Sequence, residues 1–323
     1  MLTVNQYREV FVDYLKKFPM NREPTNLYDP VSYILTLKGK RLRPILTLMA
    51  TDIFSNSYKS GLDAALAVEV FHNFSLVHDD IMDSAELRRG HKTVHKKWNV
   101  STGILSGDVM LIQAYQLFEN YEGEVFVDLA KLFSKTAIEV CEGQQYDVDF
   151  ETRDNVKISD YLKMITYKTA VLLGASMKMG AIIARASKLD QDKIYDFGKY
   201  LGIAFQLQDD YLDAFGDETK FGKKIGGDIL ENKKTYLYLK AIEFLSEDKK
   251  NQLLELYANN NISEAKIKKT KALFKESGSV DHTVKEIKKY TNSAFEILES
   301  LNISKEKKKL LYEFGNSLMD RKI

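Results

Sequence analysis

Apolar residues recur at three- and four-residue spacing over long stretches of the chain, clearest from Ala64 to Val77, Val109 to Tyr121 and Tyr161 to Arg185. That period belongs to helices, and the strict alternation of a half-buried strand is missing from these stretches. Ser159-Asp160, just before Tyr161, predicts the N-cap of the third. All four prolines, Pro19, Pro24, Pro30 and Pro44, fall in the first 44 residues, so the remaining 279 carry no helix breaker. An all-α chain is expected. The most membrane-like window, Met164 to Ala184, holds Lys168 and Lys178 in its interior, which is too costly against lipid and predicts a helix buried in protein instead. From about Glu247 to Lys309, Lys, Glu and Asn surround sparse Leu, Ile and Phe, the pattern of peripheral amphipathic helices. With no Gly/Ser-rich linker in view, one domain spanning 1–323 is expected.

Composition narrows the class. A hydrophobic content of 44% over 323 residues suffices for a sizeable core. With 47 basic and 46 acidic residues, the net charge of +1 creates no global field for nucleic acid or an anionic membrane surface. The single cysteine, Cys141, cannot form an internal disulfide and reads as a small buried residue; a reducing cytoplasm is the expected compartment. The first residues, Met1 to Glu9, lack the basic start and apolar core of a signal peptide.

Two acidic clusters of one form carry the candidate chemistry. Asp79-Asp80-Ile81-Met82-Asp83 and Asp209-Asp210-Tyr211-Leu212-Asp213 begin 130 positions apart, each after an apolar run. If the helices continue through them, Asp79 and Asp83 share a face, as do Asp209 and Asp213. A single cluster of this kind is often only a cap or a solvated pair; two on apolar helices point to hard, oxygen-seeking cations such as Mg²⁺. Mg²⁺ takes phosphate oxygens beside one or two carboxylates, so a diphosphate is the natural ligand. Basic residues lie where such a substrate would need them: Arg88 and Arg89 shortly after the first cluster, and Lys40, Arg41 and Arg43 upstream. Lys40 and Arg43 share a face if their segment is helical. His72 stands two turns before Asp79 on the same face, although by position alone it reads first as a satisfied core histidine.

On these residues the chain resembles the all-trans isoprenyl diphosphate synthases, or polyprenyl synthetases. The likeness runs through Gly39 to Pro44, His72 to Asp83, Leu87 to Gly90, Ser106 to Asp108, Gly143 to Asp147, Tyr167 to Ala170, Phe205 to Asp210, Phe221 to Asp228 and Lys233 to Thr235. It implies the isoprenoid synthase fold, a single-domain bundle of long helices around a central cavity. Asp79, Asp83 and Asp209 would be the main metal ligands, supported by Asp80, Asp210, Asp213 and the water-holding Gln144 and Asp147. Roughly three Mg²⁺ ions would offset the six carboxylates. The resemblance assigns the allylic diphosphate (dimethylallyl, geranyl or farnesyl) to Arg88, Lys168, Lys233 and one of Lys223 or Lys224. It assigns isopentenyl diphosphate to Lys40, Arg43, His72, Arg89 and Arg321. Thr169, Gln206 and Tyr167 would face an allylic carbocation formed as the diphosphate departs; the double bond of isopentenyl diphosphate attacks it, and the proton goes to the released diphosphate. A homodimer is also implied.

Product length should be set just before the first cluster. A helical wheel places Phe74 about 140° from Asp79, so geometry alone does not select it. The resemblance does: an aromatic residue at this position, with small Ser75 beside it and Phe71 one turn earlier, suggests a C20 product ahead of C15. Three departures stand out. Lys38-Gly39-Lys40 replaces a Gly-Gly-Lys entry, Lys92 occupies a common proline position, and Gly222-Lys223-Lys224 replaces Gly-Lys-Pro, leaving open which lysine reaches phosphate. A longer-chain synthase for quinone side chains is the alternative within the same chemistry. A non-catalytic partner subunit is the alternative outside it, although both clusters are kept. A terpene cyclase would carry an Asn/Ser/Glu second motif.

Overall fold

The computed structural model describes residues 1–19, 22–217, 225–258 and 263–320. Lys223, Lys224 and Arg321 lie outside the described residues. Helices dominate throughout, and the described residues form a single two-stranded sheet. The prolines do not exclude helix from the first 44 residues. Pro24 is the N-cap of the Thr25–Thr36 helix and Pro44 sits in the first turn of the Leu42–Ser55 helix, where a missing N–H leaves no helical bond unmade. Pro30 lies inside the Thr25–Thr36 helix.

Residue contacts group the chain into two compact units, one comprising Met1–Lys135 with Ala175–Tyr195, the other Thr136–Gly174 with Asp196–Ile323. In the first, the Leu62–Met82 helix is buried along most of its length, from Ala64 through Phe71 without a break. It packs on the Leu42–Ser55 and Val100–Gln116 helices. Gly103 and Gly107 permit the latter approach, because a Cβ at Gly103 would stand 2.9 Å from the Ile81 side chain and one at Gly107 only 2.2 Å from the His78 ring. Phe133 anchors an aromatic cluster, with ring centroids 5.0 Å from Phe71, 5.1 Å from Phe118 and 4.7 Å from Tyr115. After the Leu62–Met82 helix, β1 (Leu87–Arg88) pairs antiparallel with β2 (His91–Lys92), Arg88 opposite His91. Arg89 and Gly90 between them both adopt positive φ, 55° and 78°, as the tight hairpin turn requires.

The second unit has its own core, in which Tyr161, Leu207, Leu237, Phe274 and Ile287 are buried. The apolar stretch read as one helix from Tyr161 to Arg185 is built in pieces: an α-helix at Ile158–Ile165, a π-helical turn at Thr166–Ala170, then an α-helix at Val171–Ile183. Its start also differs from expectation. Lys157 is the N-cap, and Asp160 lies one turn inside, its carboxylate accepting the Lys157 backbone N–H at 3.3 Å. The Lys- and Glu-rich tail forms helices at Glu247–Ala258, Glu264–Glu276, Ser279–Glu299 and Lys305–Met319. Ser279, Thr283, Ile287, Ala294 and Leu298 are buried along the third, the amphipathic stripe the composition predicts. Cys141 is exposed, contrary to the buried reading, because the Gly123–Thr152 helix turns that position outward. Among the described residues no helix is long and apolar enough to cross a membrane; Lys178 is paired with Asp192 at 2.5 Å and Lys168 with Asp147 at 2.6 Å.

Candidate active site

The first aspartate cluster straddles a helix end. The Leu62–Met82 helix carries Asp79 and Asp80, and Asp83 is its C-cap, its N–H donating to the Asp79 carbonyl at 2.9 Å. Asp79 and Asp83 therefore stand one turn apart, as the spacing predicts. Asp80 points inward and is 1% exposed. Arg88 of β1 donates to its Oδ1 through Nε at 2.9 Å and Nη2 at 2.5 Å. Asp80 Oδ2 is buried without a hydrogen-bond partner, and burial raises the carboxyl above its ordinary range despite Arg88. Arg88 Nη2 also lies 3.6 Å from Asp79.

The upstream basic run divides its labour. Arg41, which the sequence reading left without a role, is buried, forms an ion pair with Glu69 and donates to the Leu35 and Leu37 carbonyls at 2.6 and 2.8 Å. It takes a left-handed backbone, φ 53°, and the helix begins only at Leu42. Lys40 thus lies outside the helix, and the face it was expected to share with Arg43 does not form. Arg43 Nη1 donates to His72 Nε2 at 3.1 Å. Desolvation, then the Arg43 and Arg89 charges, hold His72 well below its ordinary pKa, so the ring is neutral and accepts this bond. Burial lowers Arg43 to about 10, and its Nε is buried without a partner. Arg89 donates to the Leu37 carbonyl at 3.3 Å. Its guanidinium occupies the space of a Gly39 side chain, 2.9 Å from the Cβ position; burial and then Arg41 and Arg88 depress its pKa. Among the described residues the buried carboxylates acting on these guanidiniums are those of Glu69 and Asp80.

The second unit crowds carboxylates together with lysines. A cleft there is lined by Asp147, Lys168, Thr169, Gln206, Asp210 and Asp228. The Thr169 hydroxyl donates to Gln206 Oε1 at 3.0 Å, Gln206 Nε2 to Asp210 Oδ1 at 2.8 Å, and the Tyr161 hydroxyl to Asp210 Oδ2 at 2.6 Å. Both oxygens of Asp210 are engaged, so its carboxylate is an internal anchor for this chain of bonds. Burial pushes Asp210 up to about 7 and, with Asp210 and Asp213 nearby, pushes Asp228 well above its ordinary range. Asp213 Oδ2 accepts the Asp228 N–H at 2.9 Å. Although burial opposes it, the Asp228 and Glu231 carboxylates raise Lys233, which lies 2.9 Å from Glu231.

The π-helical turn explains how Lys168 and Thr169 reach this cleft. An extra residue per turn re-aims side chains that a regular helix would rotate away, and such turns cluster at functional sites. Gly143 allows it: a Cβ there would stand 2.2 Å from the Lys168 backbone nitrogen. Tyr161 and Gly143 are thus site-shaping residues whose roles spacing could not disclose. Among the described residues, no three His, Cys, Asp or Glu side chains converge into a ready metal cage. Phe74 is 8% exposed, its ring 5.5 Å from Phe71 and 4.8 Å from His78, and the Ser75 hydroxyl donates to the His72 carbonyl at 2.8 Å.

Known proteins resemble this chain over most of its length. The polyprenyl synthetase model matches residues 24–274. A geranylgeranyl pyrophosphate synthase of Geoglobus acetivorans is 37% identical over 303 residues, covering 93% of this chain and 92% of that protein. A solved geranylgeranyl pyrophosphate synthase is 54% identical, covers all of both chains and superposes with a TM-score of 0.95. The geranylgeranyl pyrophosphate synthase of Corynebacterium glutamicum, solved with isoprenyl diphosphate and magnesium, is 26% identical over 99% of this chain and all of that one, with a TM-score of 0.89. The chain therefore belongs to the polyprenyl synthetase family of prenyltransferases.

Proposed function

We propose that this protein is a Mg²⁺-dependent prenyltransferase that condenses isopentenyl diphosphate head-to-tail with an allylic diphosphate to a medium-chain all-trans product, geranylgeranyl diphosphate (C20) ahead of farnesyl diphosphate (C15). The observation that carries the reading is a pair of charged clusters: Arg43 and Arg89 beside His72, where Arg43 Nε is buried without a hydrogen-bond partner, and the crowded carboxylates of Asp210, Asp213 and Asp228. Anionic substrate answers the first and hard cations the second.

The donor set suits Mg²⁺. It is all carboxylate at both clusters, includes the orphaned Asp80 Oδ2, and needs no closed cage, since Mg²⁺ keeps waters and takes phosphate oxygens. Asp79, Asp83 and Asp209 would be the principal ligands, with Asp80, Asp210 and Asp213 holding the surrounding geometry and about three ions offsetting the charge. When bound, the metal neutralises charge growing on the departing diphosphate. Lys168, Lys233, Arg88 and one of Lys223 or Lys224 hold that diphosphate. Arg43, Arg89, Lys40, Arg321 and neutral His72 hold isopentenyl diphosphate with its double bond toward the reacting carbon. The Thr169 hydroxyl, fixed by Gln206, and the Tyr167 ring present dipole and π density to the allylic cation. The whole of 1–323 serves as one polyprenyl synthetase domain acting in the cytoplasm.

Incubation with isopentenyl diphosphate and, separately, dimethylallyl, geranyl and farnesyl diphosphate tests this. C20 product from all three primers is expected; no condensation with any would favour a non-catalytic partner subunit, and products beyond C25 a long-chain synthase. Phe74→Ala is expected to lengthen the product by one or more five-carbon units, because it removes the aromatic stop proposed for the growing chain. An unchanged chromatographic profile would remove Phe74 from that role.

A homodimer is the proposed assembly. The Val100–Gln116 helix exposes Val100, Ile104, Leu105 and Ile112, an apolar face unusual for solvent. Sedimentation at micromolar concentration should give about twice the 37.1 kDa chain mass; a single-chain mass would contradict it.

A further inference from the structure

Phe71, Phe74 and His78 lie three and four residues apart on the Leu62–Met82 helix and form one continuous stripe of rings. Phe74 meets His78 edge-on at 65°. His78 is itself tethered: Nε2 stands 3.1 Å from the Ile104 carbonyl, to which only a protonated ring nitrogen can bond. Its ring fills the space of a missing side chain at Gly107, whose Cβ would lie 2.2 Å from Nε2 and 2.5 Å from Cδ2. Those atoms belong to a rigid ring held by its own hydrogen bond, so a methyl group at position 107 would have to evict it. Phe74 is therefore flanked on one side by Phe71, which is backed by Phe133, and on the other by a histidine docked on a neighbouring helix.

We propose that His78, seated on Gly107, is a specificity-positioning residue that holds the Phe74 ring across the path of the growing chain. It touches no reacting atom; it fixes the stop through Phe74. The inference rests on the reading of Phe74 as that stop. With the histidine ring gone, or pushed from its seat, Phe74 gains the freedom to swing aside and lets elongation continue.

The test is the product-length distribution of His78→Ala and Gly107→Ala beside Phe74→Ala and the unaltered protein, at a fixed ratio of isopentenyl to farnesyl diphosphate. His78→Ala removes the seated ring without adding bulk, whereas Gly107→Ala displaces it while keeping the histidine, so one can report if the other fails to fold. Both are expected to raise the share of products one five-carbon unit beyond the unaltered enzyme's main product at least threefold, with kcat/KM for the first condensation changed less than that. A merely structural role would lower activity and leave the distribution in place. If Phe74→Ala lengthens the product while either folded variant retains the original distribution, the positioning role is wrong. If Phe74→Ala itself changes nothing, the stop is elsewhere and the inference falls with it.

Discussion

Replacing Asp79 with alanine is expected to lower kcat for condensation by roughly a thousandfold, and Asp209→Ala by a similar factor, with the fold intact. Each change withdraws a proposed ligand where negative charge develops on the leaving diphosphate. Several kcal/mol of transition-state stabilisation is typical of such an ion, and about 4 kcal/mol corresponds to that loss in rate. The Asp79 side chain is 17% exposed, and Arg88, 3.6 Å away, keeps its two shorter bonds to Asp80 without it, so truncation should lower the melting temperature less than removal of Asp80 does. The neighbouring carboxylates should behave differently. Asp80→Ala strips the buried partner from Arg88, and Asp210→Ala orphans the Tyr161 hydroxyl and the Gln206 amide. Both should lower thermal stability as well as activity, because buried polar groups are left unpaired. Steady-state kinetics over a Mg²⁺ titration, paired with melting curves, separates the two kinds of aspartate. Activity of Asp79→Ala within tenfold of the parent would remove it from the proposed ligands.

Arg41→Ala is expected to destabilise the protein by about 3–5 kcal/mol, since it leaves Glu69 as an uncompensated buried charge. The two side chains are 5% and 2% exposed. Asn73 Nδ2 also donates to Glu69 Oε1 at 3.0 Å, and one amide cannot neutralise the carboxylate once the guanidinium is gone. The Leu35 and Leu37 carbonyls lose a donor at the same time. Lys38→Ala, three positions away and exposed, should stay within about 0.5 kcal/mol of the parent. Urea unfolding midpoints measure both. A loss below about 1 kcal/mol for Arg41→Ala would mean that the ion pair is not the lock between its segment and the Leu62–Met82 helix.

The Lys40 to Arg43 run shows where sequence reading ends. Three cations stand within four residues there, and Lys40 and Arg43 read as one phosphate-binding face. The fold turns Arg41 inward on a left-handed backbone, leaves Lys40 exposed before the helix, and presents Arg43 to His72. Which cation is buried depends on Glu69, 28 positions away, a pairing no local pattern encodes. The helices themselves were legible because three- and four-residue spacing is the burial pattern they create. So were the two clusters, whose i, i+4 spacing survives even though Asp83 closes its helix as a cap.

The π-helical turn at Thr166–Ala170 was not legible. Its residues have no distinctive composition, and the turn is accommodated by Gly143 on a different helix. The same holds for Tyr161, an ordinary core aromatic by sequence, which meets Asp210, 49 positions on, only once the chain folds back. Cys141 was misplaced for a simpler reason: a lone small residue on a helix has no pattern to reveal its face.

The most direct test of the central claim is condensation of isopentenyl diphosphate with farnesyl diphosphate by the purified protein, stripped of metal by chelation and then titrated with Mg²⁺. The account predicts no product before the ion is added, then C20 diphosphate and one released diphosphate per bond formed. Absence of product at every Mg²⁺ concentration, or equal product without any divalent ion, would contradict it.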